Sequence, residues 1–206
     1  MIPLIFDIDG TLWDSREPVA LGINTQLDQE GIPGPRVTAE ELTRLFGLPL
    51  REFADGLFPQ VPPEERYAMA ERGLARELQF IRESACSGYP GVKATMEAMR
   101  GRRLFIVSNS QQGYPELCIE KLGLEGCIEG HLCYGDTKAE KGRTIRILME
   151  RYGLESAAYV GDTQGDLEAC RQAGIPFIWA RYGFGTPREY DYVIDDFPQL
   201  LVLPLP

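Results

Sequence analysis

Two carboxylates, Asp7 and Asp9, stand two residues apart in Asp7-Ile8-Asp9-Gly10-Thr11, directly after the apolar run Ile2 to Phe6. Side chains alternate along an extended chain, so residues i and i+2 point the same way. Two like charges at the mouth of an apolar strand repel, and folding gains nothing from them. A bound cation would offset that repulsion and fix both groups. Gly10 permits a tight departure from the strand or the close approach of a ligand. The plainer alternative is an ordinary strand end followed by a turn. Farther along, Gly161-Asp162-Thr-Gln-Gly-Asp166 sets two more carboxylates four residues apart. One helical turn or a compact loop brings such a pair together. With Asp7 they make an oxygen-only set of three, which favours a hard cation, and Mg2+ if waters and a phosphate complete its octahedron. Asp166 also suits the N-cap of the following helix, a role compatible with metal contact. Lys141 opens another helix, where the partial positive charge disfavours a cation by roughly 0.3–1 kcal/mol. It is either set there for an anion or is an ordinary surface lysine. Ser108-Asn109-Ser110 ends a further apolar run, and the plainer alternative for Ser108 alone is a turn hydroxyl.

These groups need a scaffold, and the apolar pattern supplies one. Ile2 to Phe6 reads as a short strand buried on both faces, as in the middle of a parallel sheet. From about Asp14 to Cys86 strand-like runs vanish and helical periodicity with many charges takes over. Helices are expected over Pro18 to Leu27, from a capping box at Thr38 and Glu41 to a stop at Gly47, over Glu52 to Leu57, and over Glu64 to Arg82. Gly47-Leu-Pro-Leu-Arg51 is expected to be a loop, stiffened by Pro49. After Tyr89-Pro-Gly91 strands and helices alternate. Strands are expected at Leu104 to Val107, His131 to Tyr134, Ala157 to Val160, Pro176 to Ala180 and Tyr192 to Ile194. Helices are expected at Lys93 to Arg100, Pro115 to Leu122, Thr144 to Tyr152 and Asp166 to Ala173. Such alternation implies an α/β fold, a parallel sheet flanked by helices. Residues 1–13 and 87–206 then form a discontinuous core, and 14–86 a helical insert. Ligands of open parallel sheets bind beyond the carboxyl ends of the strands. Three strand ends here carry Asp7 and Asp9, Ser108 and Asn109, and Asp162 with Asp166.

Composition narrows the partners. The chain has 206 residues and a formal net charge of −10, with no dense basic run. A phosphate backbone or an anionic membrane surface is held by Lys and Arg, so neither is expected as a partner. A small anion remains compatible, because a local patch or a metal reverses the sign of the field. Five cysteines with no Cys-x-x-Cys and a single histidine give no zinc pattern and fit buried thiols in a reducing compartment. No basic region or cleavage site precedes the first strand, and no apolar run approaches the ~20 residues that span a bilayer. A cytoplasmic protein is expected; no pattern speaks to its oligomeric state, monomer or dimer.

Asp7-Ile-Asp-Gly-Thr-Leu12, Ser108, Lys141 and Gly161-Asp162-x-x-x-Asp166, in that order, resemble the haloacid dehalogenase (HAD) superfamily of phosphohydrolases. The insert after the first motif resembles the helical cap of its phosphoglycolate phosphatase-like branch, and the resemblance spans essentially the whole chain. It implies a Rossmann-like core with an inserted α-helical cap, Mg2+ as cofactor and a small phosphorylated metabolite as substrate. It implies that Asp7 is nucleophile and metal ligand, and that Asp9 is general acid/base with its backbone carbonyl on the metal. Thr11 and Ser108 would hold phosphate oxygens, with the backbone of Asn109 nearby. Lys141 would neutralise nucleophile and phosphate, Asp162 would ligate Mg2+, and Asp166 would bind it directly or through water. Such chemistry is sound: a carboxylate attacking a phosphate dianion needs positive charge to suppress repulsion, and an aspartyl-phosphate splits one hard displacement into two. Within the cap, Arg51 offers a planar fork for a substrate carboxylate or second phosphate, against the alternative of local pairing with Glu52 or Asp55. A pyrophosphatase or a sugar-phosphate or nucleotide phosphatase would use the same core. A haloacid dehalogenase needs no acid at i+2, a phosphonate hydrolase of this kind needs a cap lysine, and a hexose-phosphate mutase a cap-linker histidine. No lysine precedes Lys93, and His131 lies outside the insert. A non-catalytic binding protein on the same fold would not need all four motifs intact.

Overall fold

The computed structural model describes residues 1–48, 50–84 and 86–205, apart from the side chains of residues 74 and 75. The chain divides into two compact units, Met1–Asp14 with Ser87–Pro206, and Ser15–Cys86. The chain leaves the first unit after its opening strand, β1 (Leu4–Phe6), and runs through four helices before returning.

Those helices are α1 (Arg16–Gln29), α2 (Ala39–Leu45), α3 (Leu50–Leu57) and α4 (Pro63–Glu83). The capping box is present: Glu41 N donates to Thr38 Oγ1 at 3.2 Å, and Thr38 N donates to Glu41 Oε2 at 2.9 Å. It satisfies two backbone donors that the first turn would otherwise leave open. Gln26 of α1 donates to the Met69 carbonyl of α4 at 3.2 Å, and Glu30 pairs with Arg72 at 3.0 Å. Helix α3 starts at Leu50, two residues earlier than the sequence pattern suggests. Leu50, Phe53, Ala54 and Leu57 form one stripe at i, i+3, i+4 and i+7, and the last three are buried. Arg51 therefore sits in the first turn of a helix instead of a loop. Pro49, expected to stiffen the turn before it, lies outside the described residues.

The other unit continues with α5 (Val92–Ala98), β2 (Leu104–Ser108), α6 (Tyr114–Leu122), β3 (Gly130–Cys133) and α7 (Tyr134–Thr137). It ends with α8 (Lys141–Tyr152), β4 (Ala158–Gly161), α9 (Gln164–Ala173), β5 (Phe177–Ala180), β6 (Tyr192–Ile194) and a 3-10 turn at Phe197–Leu201. The six strands form one parallel sheet in the order β3-β2-β1-β4-β5-β6. The run that reads apolar in sequence is central: Leu4, Ile5 and Phe6 are wholly buried, and Phe6 lies beside Ile106 and Val160. One face of the sheet meets α8 and α9 through Ile5, Phe105, Val107, Tyr159, Phe177, Ile145, Leu148, Leu167 and Cys170. Helix α8 extends three residues earlier than expected, because Lys141, Gly142 and Thr144 are themselves buried. None of the five cysteines is joined in a disulfide. Among the described residues, no helix is long and apolar enough to cross a membrane.

The strand order reverses between β1 and β4. In an open sheet of this type that switch point opens the crevice where ligands bind. Asp7 leaves β1 and Asp162 leaves β4 at this place.

Candidate active site

Asp7 follows β1 directly, and its N–H donates to the Val160 carbonyl of β4 at 2.9 Å, prolonging the sheet by one rung. Asp162 follows β4, and Asp166 lies in the first turn of α9. These three carboxylates are buried and offer one oxygen each, all within 4.8 Å of one another. Lys141, at the first turn of α8, reaches into the cluster: its Nζ lies 3.1 Å from Asp7 Oδ1 and 2.6 Å from Asp166 Oδ1. The ammonium also stands 5.8 Å from the ring centre of Tyr159, whose hydroxyl is tied to the Val107 carbonyl at 2.7 Å. Lys138 is exposed and lies over the ring of Tyr134.

The four ionisable groups respond to one another. Burial pushes Asp7 up to about 7, against the pull of Lys141 and with the repulsion of Asp166 and Asp9. Burial drives Asp162 well above the usual carboxylate range, and Asp166 and Asp7 add to it. Burial also penalises Asp166, yet Lys141 and the hydrogen bonds of Thr163 hold its carboxyl below its ordinary value. Burial disfavours the Lys141 ammonium, but Asp166 and Asp7 more than compensate and keep it charged. One cation faces three buried carboxylates, so ionising all three leaves negative charge in excess, which is why Asp7 and Asp162 are raised.

The carboxylates are positioned by backbone. Thr163 caps α9, and its N–H and hydroxyl donate to Asp166 Oδ2 at 2.9 and 2.7 Å, while Asp166 N donates back to Thr163 Oγ1 at 3.2 Å. Asp166 is thus the third residue of a capping box and not the cap itself. Asp162 Oδ2 accepts from Phe184 N at 2.7 Å, in the loop after β5. A Cβ at Gly10, whose φ is +77°, would overlap Asp162 Oδ2, and one at Gly183 would overlap the Asp162 side chain and the Gly10 carbonyl. Two glycines therefore let backbone close on both sides of Asp162. Its other oxygen, Oδ1, is buried and has no hydrogen-bond partner. Leaving a buried carboxylate oxygen unpaired is costly, and a cation is the partner that an oxygen-only cluster with surplus negative charge accepts. The residues present fit a hard divalent metal.

The remaining sequence candidates fall as follows. Ser108 ends β2, is 4% exposed, and accepts from Ser110 N at 3.2 Å; Asn109 follows it, half-buried. Thr11 is wholly buried, its hydroxyl has no partner, and its carbonyl accepts from the Tyr182 hydroxyl at 2.9 Å. The Asp9 carboxylate stands outside the three-carboxylate cluster, and its Oδ1 accepts from Trp13 Nε1 at 3.2 Å and Tyr114 Oη at 2.5 Å. Arg51 is exposed on α3, with its guanidinium 5.5 Å from the ring centre of Tyr67; of its two local carboxylate candidates, Asp55 pairs with Arg66 at 3.3 Å. Sequence reasoning missed Thr163, Phe184, Tyr114 and Trp13. Thr163-x-x-Asp166 carries a capping-box signature and was findable; the others are brought in by tertiary structure alone.

The haloacid dehalogenase-like hydrolase model matches residues 4–180 of this chain. The chain belongs to the haloacid dehalogenase-like hydrolases. This hydrolase is 30% identical over 212 residues to a phosphoglycolate phosphatase from Agrobacterium fabrum, covering 95% of the chain and 89% of that protein. A predicted phosphoglycolate phosphatase from Haemophilus somnus superposes on the hydrolase with a TM-score of 0.84 at 23% identity, covering 100% of this chain and 98% of that one. CbbY from Rhodobacter sphaeroides, solved with xylulose-(1,5)bisphosphate, superposes with a TM-score of 0.80 at 20% identity over 97% of this chain and 96% of that one. At such identities the two structures establish the shared fold.

Proposed function

We propose that this hydrolase is a Mg2+-dependent phosphatase of small phosphate monoesters, phosphoglycolate phosphatase-like, that works through an aspartyl-phosphate on Asp7. The observation that carries the proposal is Asp7 itself, a buried carboxylate at the central strand end, held 3.1 Å from the Lys141 ammonium. The Agrobacterium relative supports the substrate class.

Asp7 attacks phosphorus with one carboxylate oxygen as the bond to the leaving oxygen breaks. Asp9 delivers a proton to that oxygen, then takes one from the water that attacks phosphorus and releases Asp7; such proton transfers are typically worth ~10²–10⁴ in rate. Lys141 offsets the charge of nucleophile and phosphate. Ser108, Thr11 and the backbone at Asn109 hold the non-reacting oxygens. Asp7, Asp162, Asp166 and the carbonyl of Asp9 would hold Mg2+, which supplies Lewis-acid neutralisation of the phosphate charge. Residues 14–86 supply specificity, and Arg51 presents its fork to a second anionic group of the substrate, its plane preset by Tyr67.

Hydrolysis of an aryl phosphate, measured with Mg2+ and after chelation, tests this reading. Turnover that requires the metal is expected. Turnover unaffected by chelation, or none on any small phosphate monoester, would overturn it.

A further inference from the structure

Thr11 carries a buried hydroxyl with no hydrogen-bond partner, two residues past Asp9 in the turn that leaves β1. A buried polar group left so is costly unless a ligand meets it. Much of the turn is tied to itself. The Ile8 carbonyl accepts from Thr11 N at 3.2 Å, Leu12 N at 2.7 Å and Trp13 N at 3.3 Å, and Gly10 N donates to the Trp13 carbonyl at 3.0 Å. It is also held from outside: Tyr182 Oη donates to the Thr11 carbonyl at 2.9 Å, and Tyr89 N to the Leu12 carbonyl at 2.9 Å. The two tyrosine rings meet edge to face, with centroids 4.9 Å apart and planes at 60°. Tyr182 lies in the loop after β5, where Gly183 N donates to the Ala180 carbonyl at 3.0 Å and Phe184 N to Asp162 Oδ2 at 2.7 Å. One short loop thus touches both the Thr11 turn and a carboxylate of the cluster, and all these residues belong to the same compact unit.

We propose that Tyr182 is a positioning residue that aims the Thr11 hydroxyl at a non-reacting oxygen of the substrate phosphate. The inference rests on the phosphate contact given to Thr11 above. The peptide unit joining Thr11 to Leu12 is held at both polar ends, Leu12 N on the Ile8 carbonyl and the Thr11 carbonyl on Tyr182. A peptide unit is planar, so holding both ends fixes its plane and with it the ψ angle of Thr11. Thr11 N on the Ile8 carbonyl holds the preceding unit too. The direction of the Cα–Cβ bond follows from these two planes, and a β-branched side chain has few rotamers about it. A phenol facing a carbonyl can only donate, so the contact has one sense. Tyr182→Phe keeps the ring against Tyr89 and releases the Thr11 carbonyl. In a loose phosphoryl-transfer transition state the three non-reacting oxygens stay charged. A contact to them therefore holds substrate, inorganic phosphate and transition state to a similar degree, and its loss shows in binding more than in kcat.

The test is competitive inhibition by inorganic phosphate, with KM and kcat for an aryl phosphate, measured with Mg2+ in the intact enzyme, Tyr182→Phe, Thr11→Val and the double variant. Thr11→Val removes the hydroxyl and keeps the shape, and should raise the Ki of phosphate about tenfold or more. Tyr182→Phe should raise it about three- to tenfold, with KM rising in parallel and kcat lowered by less than about threefold. Because Tyr182 acts through Thr11, the double variant should match Thr11→Val to within about twofold. Effects that multiply in the double variant, or a Tyr182→Phe enzyme with the Ki of the intact one, overturn the inference. An unchanged Ki in Thr11→Val overturns the phosphate contact of Thr11 and the inference with it. Absence of turnover in the intact enzyme overturns the phosphatase reading from which both start. If Tyr182→Phe melts without cooperativity, fluorotyrosine at position 182 keeps the hydroxyl and reports on it. Its fluorine resonance should shift as phosphate saturates the Mg2+ enzyme and stay in place in Thr11→Val. A resonance indifferent to phosphate, or one that shifts equally in Thr11→Val, overturns the inference.

Discussion

Two carboxylates converge on Lys141, Asp7 at 3.1 Å and Asp166 at 2.6 Å from its ammonium. A lysine at a helix start works against the local dipole by roughly 0.3–1 kcal/mol, a cost small beside the ~3–5 kcal/mol lost when one partner of a buried ion pair is removed. The ion pair wins, which is why the side chain turns inward from an unfavourable position. Lys138, three residues earlier, is exposed at a left-handed backbone position with φ 52°. Lys141→Ala should therefore lower kcat/KM by about 10³-fold, equivalent to about 4 kcal/mol of transition-state stabilisation. Lys138→Ala should stay within about threefold, with circular dichroism reporting whether either variant remains folded. A dead Lys138 variant beside an active Lys141 variant would reverse the assignment.

At the scale of elements, what the sequence announced were those whose signal is local. Leu4–Phe6 and Leu104–Ser108 are buried on both faces and read as unbroken apolar runs. Tyr192–Ile194 was legible to the residue, and Gly123, Gly153 and Gly174 end α6, α8 and α9 in the left-handed conformation that their spacing implied. Helix starts were harder. Lys141 and Gly142 open α8 because α9 and the carboxylates cover them, and polar first turns carry no apolar period to announce that burial. The strand ends that gather Asp7, Asp162 and Asp166 followed from the rule for parallel sheets, since each carboxylate is local to its strand. The ring of Tyr114 on Asp9 spans 105 residues of sequence. No pattern within either segment encodes that contact. The same holds for Phe184 N on Asp162, delivered by the loop Arg181-Tyr-Gly-Phe-Gly185, in which no residue type announces a backbone partner for a carboxylate.

Over the whole molecule, the charge of the site couples to stability. A carboxyl raised from 3.8 to about 7, as Asp7 is, binds its proton more tightly folded than unfolded. Between about pH 4 and 7 the folded state then holds more protons, so this contribution to stability falls as pH rises through that window. Asp162 is raised too and acts in the same direction. Asp166 is lowered, so its contribution is present above the ordinary carboxylate value and is lost only below about pH 4. Mg2+ binding requires the deprotonated carboxylates and should restore what the metal-free protein loses. At 100-fold saturation a ligand adds about 2.7 kcal/mol, or roughly 5–10 °C in Tm for a chain of this size. Thermal melts should show a Mg2+ increment of that order at pH 8 that shrinks towards zero at pH 5. An increment independent of pH would mean that the cation binds elsewhere.

The account turns on a covalent bond to Asp7, and trapping that bond tests it most directly. Enzyme turning over a radiolabelled phosphate monoester with Mg2+ is quenched in acid, digested, and its labelled peptide sequenced. The label should sit on Asp7, be released by hydroxylamine as expected of an acyl phosphate, and be absent from Asp7→Asn. Label on any other residue, or an Asp7→Asn protein that still turns over, would contradict the account.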